Sequence, residues 1–293
     1  MHTDRRSTAY ERAPWAPSDT SELRRMLESA ISNDRLELPL LPGVASEILS
    51  LTTEAEVDGR RLVSLLHRDI ALAGHVLRIA NSPAYLGRTA VTSLQAAVTR
   101  LGMTTLGEIA LAATLRSGVF HVPGHEETLR GIWREGAAAG VFAREIARRT
   151  GRSAESAFLC GFLHAIGKPV VLQAAVRMAP ESGRDIPAGE ALVLMDELHA
   201  RAGHAIGRAW SLPEPVAATL AALAGQAHGD DRPEVVVAGL AIACGRRLLA
   251  GGGDAEALKV HPACARLGLA PDDVAAILDR DEIVLAVVNA LAP

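Results

Sequence analysis

Cysteine is scarce in this chain: three residues in 293, Cys160, Cys244 and Cys264, far apart and without C-x-x-C spacing. That pattern implies no disulfide framework and suits a reducing compartment in which thiols serve as small buried hydrophobes. Aromatic residues make up only 3%, which disfavours a sandwich of aromatic-rich strands and removes the interleaved basic and aromatic surface that binds single-stranded nucleic acid. Long apolar runs are missing too. The greasiest stretches, Val235 to Cys244 and Ile283 to Leu291, reach about half of the ~20 residues that a spanning helix needs, and the first residues carry no apolar signal segment. Membrane insertion is therefore not expected, and a cytoplasmic location is. No basic block exists either: the formal charge is −4 and the arginines come in scattered pairs (Arg24-Arg25, Arg60-Arg61, Arg148-Arg149, Arg246-Arg247). Such pairs suit solvated helix faces, so nucleic acid is not an expected partner. A phosphate-cradling glycine loop, a nucleophile elbow and a Cys-His constellation are all absent.

Small aliphatic residues are abundant, with 49% hydrophobic content. No period-2 segment is long enough for a strand and no solenoid repeat is visible, so the chain is expected to be all-α. Residues 1–20 mix charge with Pro14 and Pro17 and read as a flexible leader. Residues 21–120 form a first helical half. Within it Ser21 is expected to cap a helix, Leu38-Pro-Leu-Leu-Pro to be a rigid non-helical segment, and Asp69 and Ser93 to be N-caps. The pair Arg60 to His67 and Ile70 to Ala80 has a helix-turn-helix outline, but its second helix offers only His75 and Arg78 as polar readers, too few for groove recognition. Thr104 or Thr105 is expected to cap the helix that follows.

The loop His121 to Glu127 reads as a hinge before a second half, 121–232, and residues 233–293 read as helices that complete the domain. From Ile132 to Arg149 the small residues Gly136, Gly140, Ala143 and Ala147 make a stripe suited to close packing against Gly161. The segment Ser156 to Leu172 carries Phe158, Leu159, Phe162, Leu163 and Ile166 on one helical face, with Gly161, His164 and Lys168 on the adjacent one, and Gly167 and Pro169 are expected to stop that helix. Lys168 would then sit at a helix C-terminus, where the dipole favours a cation. Its rival role is a phosphate-binding amine. Glu190 to Trp210 is expected to be a helix interrupted near Gly203, and Pro271 to Leu291 a single closing helix.

Several patterns then coincide. Leu38-Pro-Leu-Leu-Pro, the run Asp69 to Tyr85 with its Asn81-Ser82-Pro83, Ser93 to Gly102, Trp133, Gly161-Phe-Leu-His-Ala-Ile-Gly-Lys, His204-Ala-Ile-Gly with Trp210-Ser-Leu-Pro, and Leu267-Gly-Leu-Ala-Pro-Asp-Asp resemble, in that order, the HDOD domain. The resemblance covers about residues 36 to 290 and implies an all-helical bundle, related to the HD metal-dependent phosphohydrolases, that serves bacterial signal transduction. It marks Asn81, Ser82, Trp133, Gly161 and Trp210 as structural motif positions, with Asn81-Ser82 holding the two halves in register.

An HD hydrolase gathers several histidines and aspartates around one or two divalent ions. By the resemblance, the His-Asp pair becomes His164-Ala165 here, the histidine after Trp133 aligns with Glu135 or its neighbour, and a later histidine pair aligns with Leu223-Ala224. One remaining ligand cannot hold a catalytic metal, which needs at least three. His199 and His204, five residues apart, fall on different helix faces and make no joint site. Glu135, Glu145, Asp196 and Glu197 suit solvated faces. The expectation is a protein without metal or cofactor, acting through a protein partner, with His164, Lys168, Glu135 and His204 as a degenerate pocket. Two alternatives stand beside it: a binder of a small signalling nucleotide in that pocket, and a residual metal-dependent phosphohydrolase.

Overall fold

The structure is a computed structural model that describes residues 20–53, 59–85, 87, 89–179, 186–226, 232–253 and 255–292. The expected leader, 1–20, lies outside the described residues apart from Thr20. All regular structure among the described residues is α-helix. The first half holds α1 (Thr20–Ser32), α2 (Gly43–Thr53), α3 (Gly59–His67), α4 (Ile70–Ala80), α5 (Leu94–Leu101) and α6 (Met103–Gly118). Next come α7 (Glu126–Arg149), α8 (Ala154–Leu163), α9 (Gly167–Met178), α10 (Ala188–Ala209) and α11 (Glu214–Leu223). The chain closes with α12 (Pro233–Leu249), α13 (Ala255–Lys259), α14 (Pro262–Leu267), α15 (Pro271–Leu278) and α16 (Asp281–Leu291).

Local chemistry sets many of these boundaries. Asp69 accepts the Leu72 amide at 2.9 Å and Ser93 the Ala96 amide at 3.1 Å, so both act as N-caps. Thr104 and Thr105 do not: α6 starts from Gly102, and the Thr104 hydroxyl instead donates to Glu155 at 2.8 Å, linking α6 to α8. Pro271 to Leu291 is two helices, broken at Asp279-Arg280. Helix α10 is continuous through Gly203, because that glycine is there for close packing: a Cβ would meet the Leu220 side chain at 3.3 Å and the Gly167 amide at 3.6 Å.

Ser156 to Leu172 departs from the single helix that its spacing predicts. Helix α8 stops at Leu163, three residues of turn follow, and Gly167 and Pro169 open α9 instead of ending α8. Proline is tolerated in a first helical turn because the N–H it lacks has no partner there. Together Ala154–Met178 is long and apolar enough to cross a membrane, but 83% of its most apolar window is buried inside the protein. It is core, as its central position requires.

Helix α7 is the axis on which α8, α12, α15 and α16 pack. Its glycines allow backbone contact with α8: a Cβ on Gly161 would stand 2.5 Å from the Ala139 carbonyl oxygen, and one on Gly136 2.6 Å from that of Phe162. Packing also crosses the sequence order. Helix α1 lies on α9 and α10, and α16 returns to touch α4 and α6. The buried apolar side chains form one continuous cluster from Leu23 to Ala292. Between α6 and α7 that core contains an ion pair, Arg144 Nη1 to Glu108 Oε2 at 2.5 Å, both side chains buried.

Five of the nine aromatic residues make one ladder. Trp210, Phe120, Trp133, Phe162 and Phe158 follow with ring centroids 6.5, 6.1, 6.1 and 5.6 Å apart, distances at which aromatic pairs attract. The Trp210 indole N–H donates to the Pro39 carbonyl at 2.8 Å. The ladder thus ties the Leu38-Pro-Leu-Leu-Pro segment, through α10 and α7, to α8.

Asn81 does a more local job than holding two halves in register. Its side-chain amide donates to Leu77 O at 2.9 Å and Val91 O at 2.8 Å, while its carbonyl accepts the Val91 amide at 2.7 Å. It copies a backbone pairing and pins the loop before α5 to the end of α4, inside the first half.

Candidate functional site

The turn between α8 and α9 places His164 and, one helical turn later, Lys168 beside Glu135 of α7. Gly167 makes this possible. Its Cα lies against the backbone of α10, where a Cβ would overlap the His199 carbonyl and stand 2.5 Å from the Gly203 amide. Helices α9 and α10 therefore meet here backbone to backbone.

Glu135 is the hub. Lys168 Nζ donates to its Oε2 at 2.5 Å, Arg246 Nε of α12 to its Oε1 at 3.2 Å, and His164 Nε2 lies 3.5 Å from Oε1. Lys168 also faces Asp196 of α10 at 3.7 Å. The solvated faces expected for Glu135 and Arg247 are thus not observed, whereas Arg246 keeps an exposed side chain as expected. Glu135 is nearly buried under its partners, and Arg247 donates two hydrogen bonds of 2.7 Å to Asp281. Lys168 is also misplaced in the sequence reading: it stands in the first turn of α9, the wrong end for a dipole role, and its partner is a carboxylate.

His164 is buried, and its Nδ1 lies 2.6 Å from the Gly161 carbonyl. A carbonyl can only accept, so Nδ1 carries the proton. That leaves Nε2 facing the Glu135 carboxylate, 3.5 Å from its Oε1. Burial alone would raise the Glu135 carboxyl, but His164 and Lys168 outweigh it and hold the group well below the usual carboxylate range.

A carboxyl with a depressed folded value stabilises the protein above its unfolded value, about 4.3, and that contribution disappears as pH falls toward the folded value. Thermal stability is therefore expected to drop as pH is lowered below about 5. Glu135→Gln is expected to lower Tm at pH 7 and to flatten this acid slope, measured by thermal melts between neutral and acid pH. An unchanged slope in the variant would contradict the role assigned to Glu135.

His204 does not join this cluster. Burial lowers its pKa first, then the charge of Arg208, against Asp34, which places it near the end of α1. His199 is closer: burial and then Lys168 lower it, and its Nδ1 sits 3.0 Å from both the Met195 and Asp196 carbonyls. Of the two histidines it is His199, not the expected His204, that lies beside this cluster. The signal that separates them is the Gly167 contact with His199, which no spacing rule reports.

These residues do not fit a divalent ion. Ala165 offers no ligand, His164 has one nitrogen spent on a carbonyl, and the central carboxylate, Glu135, is neutralised by an ammonium and a guanidinium whose charges repel a cation. Among the described residues no group of three or more His, Cys, Asp or Glu side chains stands as a metal site.

Comparison with known proteins agrees with this architecture. The HDOD domain model matches residues 38–226. An uncharacterized protein of Treponema pallidum is 27% identical over 203 residues, 66% of this chain, which spans about two fifths (39%) of that relative's length. A crystal structure of an HDOD domain protein of unknown function from Geobacter sulfurreducens superposes with a TM-score of 0.69 at 22% identity, covering 93% of this chain and 99% of that one. A Shewanella amazonensis protein provisionally described as a phosphohydrolase gives 0.64 at 21%, covering 91% and 98%. At these identities the two structures attest the fold. With its family model spanning well over half its length, the chain belongs to the HDOD domain family.

Proposed function

We propose that this protein is a non-catalytic regulatory module of bacterial signal transduction, working in the cytoplasm by contact with a protein partner. The observation that carries the reading is the Lys168–Glu135 bond of 2.5 Å at the relict HD position, next to Ala165. An internal ammonium stands where a hydrolase needs positive charge from a metal, so the charge is fixed and the water-activating step has no ion to run on. The family membership supports a regulatory role, and a structural neighbour from Marinobacter aquaeolei (TM-score 0.62, 21% identity) is provisionally described as a signal transduction protein. Three buried free cysteines suit a reducing compartment.

Elemental analysis and a phosphatase assay on the purified full chain test the reading. Less than stoichiometric manganese, iron or zinc is expected after incubation with each metal, with no metal-dependent hydrolysis of a generic phosphate monoester. A stoichiometric metal that is lost in His164→Ala, accompanied by hydrolysis, would overturn it and restore the phosphohydrolase alternative.

A further inference from the structure

A cavity of about 410 Å³ opens between the start of α2, α4 and the end of α6. That volume lies within the range of small-molecule sites, roughly 300–1,000 Å³. Its polar lining is Asp69, His75, Arg78, Thr114, Arg116 and Ser117. Three of these are already engaged. Asp69 caps α4, and the Thr114 and Ser117 hydroxyls donate back to the Ala110 and Ala113 carbonyls at 2.8 Å. The side chains left with donors to offer are His75, Arg78 and Arg116, two of them cationic against the single carboxylate of Asp69.

Arg78 Nη1 stands 3.4 Å from His75 Nδ1. A guanidinium can only donate, so Nδ1 is the acceptor and the neutral ring carries its proton on Nε2. His75 is 6% exposed, and neither its Nε2 nor the buried Nε of Arg116 has a partner among the described residues. Buried N–H groups are rarely left without an acceptor. The electrostatics point the same way. Burial, then Arg116, then Arg78 push His75 down to about 4, and no carboxylate offsets them. Arg116 is likewise held down by burial and by Arg78 and Arg130.

We propose that this cavity binds a phosphate-type oxyanion, seated between Arg78 and Arg116 with His75 Nε2 donating to one of its oxygens. Donors converging from two helices suit a tetrahedral group with several acceptor oxygens better than a planar carboxylate, which one guanidinium fork would satisfy. The shared chemistry is a phosphate, free or at the end of a small ester. The site lies on α4 and α6, away from the Glu135 network, and does not depend on the regulatory reading.

The test is calorimetric titration of the full chain at low ionic strength with inorganic phosphate, adenosine monophosphate and acetate, with the His75 ring followed by NMR. Saturable binding of phosphate or the nucleotide is expected, and the tighter of the two identifies the source. Acetate is expected to bind more weakly. Among the groups facing His75, Asp69 and Arg78 of the α4 segment and Arg116 of α6, a bound anion neutralises the two cations, so the ring is expected to titrate at higher pH. Arg116→Gln is expected to weaken binding at least about tenfold with Tm unchanged. Should that variant melt early, Arg78→Gln, on an exposed side chain, repeats the test. Binding that survives both substitutions, no binding of either phosphate probe, or acetate binding as tightly as phosphate would each overturn the proposal.

Discussion

Replacing Gly167 by alanine is expected to cost a large share of the stability of this protein, although the change adds one methyl group at a helix start. The added carbon would overlap the His199 carbonyl and lie 2.5 Å from the Gly203 amide. Both obstacles are backbone of α10, so no side chain can swing aside. Relief requires α9 and α10 to separate, which breaks the close packing that seats Lys168 against Glu135. Overpacking in cores usually costs ~1–3 kcal/mol, and a clash with backbone on a 22-residue helix belongs at or above the top of that range. Against a total of roughly 5–15 kcal/mol, a loss of 3 kcal/mol or more is severe. Urea unfolding monitored by circular dichroism measures it. Gly239→Ala is the control: that glycine is helical and exposed with nothing within 4 Å of its Cβ position, so alanine there is expected to stabilise by about 0.5–1 kcal/mol. If both variants unfold at the wild-type midpoint, the close approach of α9 and α10 is not what the geometry implies.

This glycine also shows where sequence reading succeeds and stops. The helical period exposed the elements, and polar caps such as Asp69 and Ser93 marked their starts, because both signals are local. Gly136, Gly140 and Gly161 could be paired as a stripe because small residues at helical spacing have few other uses. Gly167 and Pro169, however, are stop signals at a C-terminus and tolerated residues in a first turn, and only the turn at His164 decides between them. The family resemblance pointed to Glu135 or its neighbour and to His164, and implied that Ala165 removes a ligand. What it could not show is that Lys168 and Arg246, 78 residues apart in sequence, both close on Glu135. Charge partners on separate helices leave no periodic trace. The same holds for the aromatic ladder, whose members come from α7, α8, the residue that follows α10 and the loop at Phe120, and for Arg116, which joins His75 and Arg78 only through folding.

Glu108 and Arg144 are the other feature that no local pattern announced, and breaking them is the second large effect expected. The pair is buried between α6 and α7, with Tyr85 beside Arg144. Removing one member of a buried pair costs ~3–5 kcal/mol because the other charge stays behind without water. Here the size depends on pH, in a direction the carboxyl dictates. Burial pushes Glu108 up to about 7 even with Arg144 beside it, so the folded protein binds this proton more tightly than the unfolded chain, whose carboxyl titrates at about 4.3. Its contribution to stability therefore declines as pH rises through that window and levels off above it. Without Arg144 the folded value climbs further and the decline extends to higher pH. Arg144→Ala is expected to be modestly destabilised near pH 6, where Glu108 can take up a proton, and to lose the full ~3–5 kcal/mol by pH 8.5. The double variant Glu108→Leu with Arg144→Met replaces both charges by apolar groups of similar reach and is expected to recover most of the loss with no such pH dependence, since buried pairs are often no better than a packed apolar substitute. Chemical denaturation of the three proteins at both pH values decides the matter: a loss in Arg144→Ala that is equal at the two pH values would show that Glu108 does not carry the proton, and a loss below about 1 kcal/mol at pH 8.5 would show that the pair is not sealed from water as its burial requires.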